Sequence, residues 1–319
     1  MRSKWIAVCL PLVGALSLTG CSVGAGQIRA NYADYNETIH YNHSQEMLLN
    51  LVRSKYRESP LFLKVGTLST SYTFAVGGSA DGGRRFGEAA YGVAYAPSFS
   101  ERPTITYSPV EGNTFVTQLL SELDPATFVL LYRSGWPIDQ LCHIAVERIG
   151  PTSNDVDRPT YDRFTWLVDR LADAQDRDLL EFFEDADGKI YIGIRESVGD
   201  LAELTIDDFE VQYAQVVPFS VMQLRSFSDI MFFLGQAARV PDAHSDRVRF
   251  REPNEWLNIH WSEKPPDNAM VWVRYGGYHF YVLDTDVKSK DTFALLKMLY
   301  QIQAGDIESV QPVLTLSAD

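Results

Sequence analysis

An α+β fold is predicted by three features of the sequence. Residues 27–57 contain neither glycine nor proline. Residues 68–76 alternate, with Leu68, Tyr72, Phe74 and Val76 at one parity and Ser69, Ser71, Thr73 and Ala75 at the other. Gly276-Gly277 separates two short β-type runs that a helical stripe follows. A period near 3.6 marks a helix and a period of two marks a half-buried strand. The predicted order is a long N-terminal helix, a β-hairpin region, a helical middle, and a C-terminal antiparallel sheet with a packed helix.

The first helix is expected over residues 27–57. Ile28, Tyr32, Tyr35 and Ile39 form a heptad-like stripe, and Met47, Leu48, Leu51 and Val52 continue an apolar face. Arg53, Lys55 and Arg57 stand where cations favour the negative helix end, and Pro60 stops it. In the β region, residues 77–83 (Gly-Gly-Ser-Ala-Asp-Gly-Gly) read as a loose turn. Residues 90–95 alternate again, and residues 104–107 form a further short strand.

Helices are expected over residues 115–123, 125–132 and 138–149, with a domain boundary at residues 150–154. Thr160 is expected to cap a helix whose core face is Phe164, Leu167, Val168 and Leu171. Residues 189–194 and 209–213 read as strands. Ile230, Phe233, Leu234 and Ala237 mark a helix, and residues 241–254 read as a polar loop. A strand is expected over 256–261, followed by the hairpin around Gly276-Gly277. Leu295, Met298, Leu299 and Ile302 give the next helix its core face, with Gly305 as its end. Residues 313–316 read as a last strand.

Composition narrows the function. The chain is 45% hydrophobic and 22% charged, which excludes the disordered classes. Its net charge of −14 repels nucleic-acid phosphates, so no nucleic-acid partner is expected. The same charge gains nothing from an anionic lipid surface. Membrane contact must therefore be apolar or covalent.

A covalent route is written at the start. Arg2 and Lys4 precede a short apolar run over residues 5–18, interrupted by Pro11 and Gly14. This reads as a secretory signal peptide over residues 1–20. The site Leu18-Thr19-Gly20-Cys21 resembles the bacterial lipobox. That resemblance implies a diacylglycerol thioether on Cys21 and, in many bacteria, a third, amide-linked chain. Each buried methylene contributes about 0.8 kcal/mol, and two chains anchor a protein stably. Ser22 after the cysteine implies sorting to the outer membrane of a Gram-negative host. Residues 21–30, with Gly24 and Gly26, are expected to form the lipidated tether. Residues 31–150 and 151–319 are expected to form an N-terminal and a C-terminal region.

No catalytic residue, metal site or cofactor is expected. Glu37, His40, His43 and Glu46 recur at steps of three, which drift about 60° per step around a helix and cannot meet at one ion. They read as an exposed polar face. His260, Glu263, His279, Asp284 and Asp286 cluster near the C-terminal hairpin without a nucleophile elbow, and read as turn caps and sheet polars. No dinucleotide or Walker-type glycine loop is present. Cys142, beside His143 in an apolar stretch, reads as a buried structural thiol.

Two surfaces remain as candidates. Trp272, Arg274, His279 and Tyr281 share one strand face, suited to a sugar or peptide unless the helix after Ser289 covers it. The alternating segment from Leu68 has about the length a tilted membrane strand needs. A lone hairpin cannot span lipid, because its edge groups go unpaired. Spanning would require several protomers to close one barrel, and a hairpin packed on its own domain is the expected reading.

Several segments resemble a family of uncharacterised bacterial lipoproteins. They are Tyr35-Asn36-Glu37, Gln45-Glu46-Met47-Leu48-Leu49-Asn50-Leu51-Val52-Arg53, Tyr56-Arg57, Pro60-Leu61-Phe62-Leu63, Pro103-Thr104-Ile105-Thr106-Tyr107-Ser108-Pro109, Gln118-Leu119-Leu120, Ser134-Gly135-Trp136, the stretch from Phe280-Tyr281 to Ser289-Lys290, and Thr292-Phe293-Ala294-Leu295-Leu296. The resemblance implies an anchored, non-enzymatic protein. The expected function is a periplasm-facing structural or accessory subunit of a cell-envelope assembly. The expected partners are the bilayer, through acylated Cys21, and envelope proteins or further copies of the chain. The alternative is a periplasmic ligand-binding or hydrolytic module.

Overall fold

The computed structural model describes residues 23–85, 88–110, 112–195, 213–249, 251, 254–304 and 314–317. The expected signal peptide over residues 1–20, Cys21, Ser22 and most of the strand expected over 209–213 lie outside them. The fold is α+β, with helices and small antiparallel sheets. Two compact units form, but not by a cut at residue 150. One comprises Met1–His43, Phe62–Val110 and Glu308–Asp319, the other Ser44–Leu61 and Glu111–Ile307. Gly150-Pro151 is a turn inside the second unit, joining two short paired strands.

Helix α1, Val23–Lys55, takes in Gly24 and Gly26, so the expected tether is helical from Val23 onward. Arg57 then adopts a positive φ of 60° before Pro60. Met47, Leu48, Leu51 and Val52 are buried as the apolar face requires.

In the first unit, β1 (Leu63–Arg85) pairs antiparallel with β2 (Glu88–Pro109), over 23 and 22 residues. Residues 77–83, expected as a turn, continue β1, and the chain reverses between Arg85 and Glu88. The register sets Tyr95 opposite Gly78 and Tyr91 opposite Gly82. Aromatic residues placed opposite glycine offset its weak strand preference. The strand expected at residues 104–107 is the base of β2, where β12 (Leu314–Ser317) joins it.

The second unit holds the larger core. Its helices are α2 (Asn113–Leu120), α3 (Pro125–Arg133), α4 (Ile138–Ala145), α5 (Tyr161–Asp176), α6 (Phe227–Gly235) and α7 (Val287–Ala304). α4 packs on α5 and α6, and α6 packs on α2 and α7. Ile138, Leu141, Ile144, Phe164, Val168, Ile230, Leu234, Leu295, Leu296 and Leu299 are fully buried where these helices meet. Met298 and Ile302, expected in the core, are each 39% exposed. The buried face of α7 comprises Ser289, Thr292, Phe293, Leu295, Leu296 and Leu299, so the expected Leu295 and Leu299 do lie in the core.

The helix expected over 138–149 stops at Ala145. Val146–Ile149 is strand β3, paired with β4 (Thr152–Ser153) and with β8 (Met222–Leu224). Thr160 precedes α5 without capping it: its hydroxyl accepts from the Ser153 backbone N–H at 3.1 Å. Strands β5 (Leu180–Glu184), β6 (Ile190–Arg195) and β7 (Tyr213–Pro218) form a meander. The last sheet comprises β9 (His260–Ser262), β10 (Ala269–Tyr275) and β11 (Tyr278–Leu283). β9 is shorter than expected because the Asn254 side chain accepts from the backbone N–H groups of Trp256 and Leu257. That local turn holds the residues before β9 out of the sheet.

Candidate functional site: the open face of the C-terminal hairpin

Gly276 and Gly277 adopt φ of 57° and 94°, the left-handed pair that a two-residue hairpin requires. This turn fixes the register, placing Trp272 opposite Tyr281 and Arg274 opposite His279. The four residues singled out in the sequence therefore stand on one face. The other face carries Val271, Val273, Phe280 and Val282, all buried, and α7 packs on β11. The helix after Ser289 thus belongs with the buried face, and the candidate four remain half-buried or exposed.

The rings on the open face contact one another. Trp272 and His279 meet edge-on, with centroids 5.3 Å apart, and Tyr281 stacks on His260 of β9 at 5.5 Å. The Trp272 carbonyl accepts from the Gln45 side chain at 3.0 Å. Burial, and next the Arg239 charge, hold His260 below its ordinary pKa. Nδ1 of His279 is enclosed and has no hydrogen-bond partner among the described residues. Flat aromatic and imidazole surfaces with one exposed guanidinium suit contact with a protein or sugar face. Of the other hairpin polars, Asp286 accepts from Asn258 and Ser289, and Lys290 pairs with Asp284 at 2.7 Å, as turn and helix-start contacts. Along α1, Glu37 and His40 are exposed and His43 and Glu46 are half-buried.

A second concavity, of about 870 Å³, is lined by residues including Arg148, Arg158, Tyr161, Phe232, Arg251 and Trp256. Its most deeply set cation, Arg225, serves the fold. The guanidinium donates to the carbonyls of His143 (2.9 Å), Ile144 (3.0 Å) and Asn154 (3.1 Å), and lies 4.0 Å from the Phe233 ring centroid. The Asn154 amide donates to the carbonyls of His143 (2.8 Å) and Val146 (2.7 Å). Together they satisfy the carbonyls left open where α4 ends. Burial lowers the Arg225 pKa to about 10, so it stays charged at neutral pH. Sequence reading missed Arg225. Its one signal is a lone cation in the apolar run Val221-Met222-Gln223-Leu224-Arg225-Ser226-Phe227.

The segment expected as a polar loop contains a further buried group, His244. Arg247 donates to its Nε2 at 3.2 Å. A guanidinium only donates, so Nε2 accepts and the ring proton sits on Nδ1. Nδ1–H then donates to the Tyr56 hydroxyl at 2.7 Å. Gly276 completes the fit, because a Cβ there would stand 2.7 Å from His244 Cε1. These contacts clip the end of α1 and the hairpin turn to one imidazole.

Cys142 is fully buried in α4, and burial pushes its thiol pKa up. Titration of the Cys142 thiol is expected to be slow in the folded protein and fast in denaturant. Rapid native labelling would instead show an accessible, reactive thiol.

No family model, curated protein or solved structure matches the chain. Among the described residues, no helix is long and apolar enough to cross a membrane.

Proposed function

We propose that this chain is a lipid-anchored, periplasm-facing subunit of an outer-membrane assembly, working by association rather than by turnover. The observation that carries the assembly reading is the β1–β2 hairpin. Strands in globular domains usually run about 3–10 residues, whereas these run 23 and 22. Along most of that length each strand has only the other beside it among the described residues. Such edges are templates for further strands. The lipobox-like Leu18-Thr19-Gly20-Cys21 supports the anchor, and the likeness to bacterial lipoproteins belongs to the same reading. The open aromatic face of the C-terminal hairpin offers a second contact surface.

The test is metabolic labelling with a radioactive fatty acid, followed by detergent extraction and sizing. Label on the wild-type chain, its loss in Cys21→Ala together with changed processing, and elution as a large complex are expected. Unchanged labelling and membrane fractionation in Cys21→Ala, or a wild-type monomer, would count against the reading.

A further inference from the structure

We propose that the β1–β2 hairpin supplies two staves of a membrane β-barrel closed by several copies of this chain. The inference rests on the anchored-assembly reading and names its architecture.

The hairpin carries a bilayer-sized window. Residues 74–83 and 90–100 hold a single side chain charged at neutral pH, Asp81. Glu101 and Arg102 border the window at one end, and Arg84, Arg85 and Glu88 at the other. The window holds nine uncharged positions on β1 and eleven on β2, against the roughly 9–11 residues of a tilted membrane strand. Its base on β1 is set by the register with Glu101 and Arg102, because β1 itself is uncharged back to Val65.

The two faces of the window differ throughout. By register, one face pairs Phe74 with Phe99, Val76 with Pro97, Gly78 with Tyr95, Ala80 with Val93 and Gly82 with Tyr91. The other pairs Thr73 with Ser100, Ala75 with Ser98, Gly77 with Ala96, Ser79 with Ala94 and Asp81 with Gly92. Apolar and aromatic positions on one side, with small and polar ones on the other, are the lipid and lumen faces of a barrel wall. The one acidic residue falls on the lumen parity. Thr73, Ser98 and Ser100, on that parity, are exposed.

The edges name the occupant. β12 meets β2 only opposite residues 104–107, so within the window no described strand lies beside β1 or β2 beyond their own pairing. Unpaired backbone groups cost several kcal/mol each in hydrocarbon, so only closure satisfies them. The β1 edge of one copy can pair with the β2 edge of the next. This is a heterologous contact, which closes a ring when the rotation allows. Two strands per copy give an even strand number, and the smallest membrane barrels have about eight, so about four copies are the minimum. Pro97 forgoes one N–H per copy.

A hairpin packed on its own domain, as the sequence suggests, accounts for a nine-residue alternation. It does not account for a register that continues to the tip with the same two faces, bordered by charges on both strands at the tip and on β2 at the base.

The test uses full-length lipidated protein in vesicles of phosphatidylethanolamine and phosphatidylglycerol. Single cysteines replace Val76, Ala80 and Val93 on one face, and Ala75, Ser79 and Ala94 on the other, in a Cys142→Ala background. Each carries a fluorescent label. Spin-labelled lipid is expected to quench the first set several-fold more than the second, and aqueous iodide the reverse. Cross-linking of the unsubstituted protein should give a ring of at least about four copies. Absence of alternation, or a monomer in the bilayer, would overturn the barrel while leaving the anchor standing. A ring whose window is reached by iodide on both faces would overturn it in favour of a soluble oligomer. Failure of the chain to carry lipid and to join vesicles would overturn both the barrel and the reading beneath it.

Discussion

Arg225→Met is expected to destabilise the second unit by about 3–5 kcal/mol. The substitution keeps much of the buried stem and the packing on Phe233, but removes donors to three carbonyls on two segments. Each buried polar group left without a partner costs about 1–3 kcal/mol. Water does not readily replace the guanidinium, because the side chain is only 6% exposed. Arg225→Lys should recover part of the loss. Its ammonium is a compact donor and cannot reach all three oxygens from one position. The His143 carbonyl also accepts from Asn154. Asn154→Ala should therefore be non-additive with Arg225→Met, since each substitution strips a partner from the same oxygen. Urea denaturation of the wild type, Arg225→Met, Arg225→Lys, Asn154→Ala and the double variant measures this. A loss below about 1 kcal/mol for Arg225→Met would show that the end of α4 is held by other means.

These contacts also show why part of the fold was hidden in the sequence. The face of α1 was legible because Met47, Leu48, Leu51 and Val52 repeat with the helix itself. The candidate four on the C-terminal hairpin were legible because one Gly-Gly turn fixes the register of both strands. The end of α4 was not legible. Val146-Glu147-Arg148-Ile149 continues a helical pattern, and only pairing with Met222–Leu224, far along the chain, makes it a strand. The reach of the long hairpin was hidden for a related reason. A run of glycines signals a turn when read alone, and its pairing with Tyr91, Val93 and Tyr95 is visible only in the register. His244 and Arg225 were missed because a polar residue is buried by what surrounds it in space, and neither has a local pattern that announces its partners.

His143 is expected to make stability fall as the solution is acidified from about pH 6.5 to about pH 4. Its ring stacks on Trp256 at 4.8 Å and meets Phe164 edge-on at 5.5 Å. Nδ1 is enclosed with no hydrogen-bond partner among the described residues. Burial is the dominant effect and lowers the pKa from 6.5 to about 4, against opposing pulls from Asp139 and Asn154. The folded pKa is thus the lower one, so the unfolded chain takes up the proton first. The contribution is complete above the unfolded value, shrinks as pH falls through the window, and levels off once the folded ring also protonates. Its full size is on the order of 3 kcal/mol. His143→Phe keeps an aromatic ring against Trp256 and removes both the titration and the unpaired nitrogen. The variant should match or exceed the wild type at pH 4.5, and show a shallower dependence between pH 7 and pH 4.5 when urea midpoints are compared at the two values. Carboxylates common to both proteins contribute equally to each slope and cancel in the difference. Parallel slopes for wild type and variant would mean that His143 takes up its proton in the folded chain as readily as in the unfolded one.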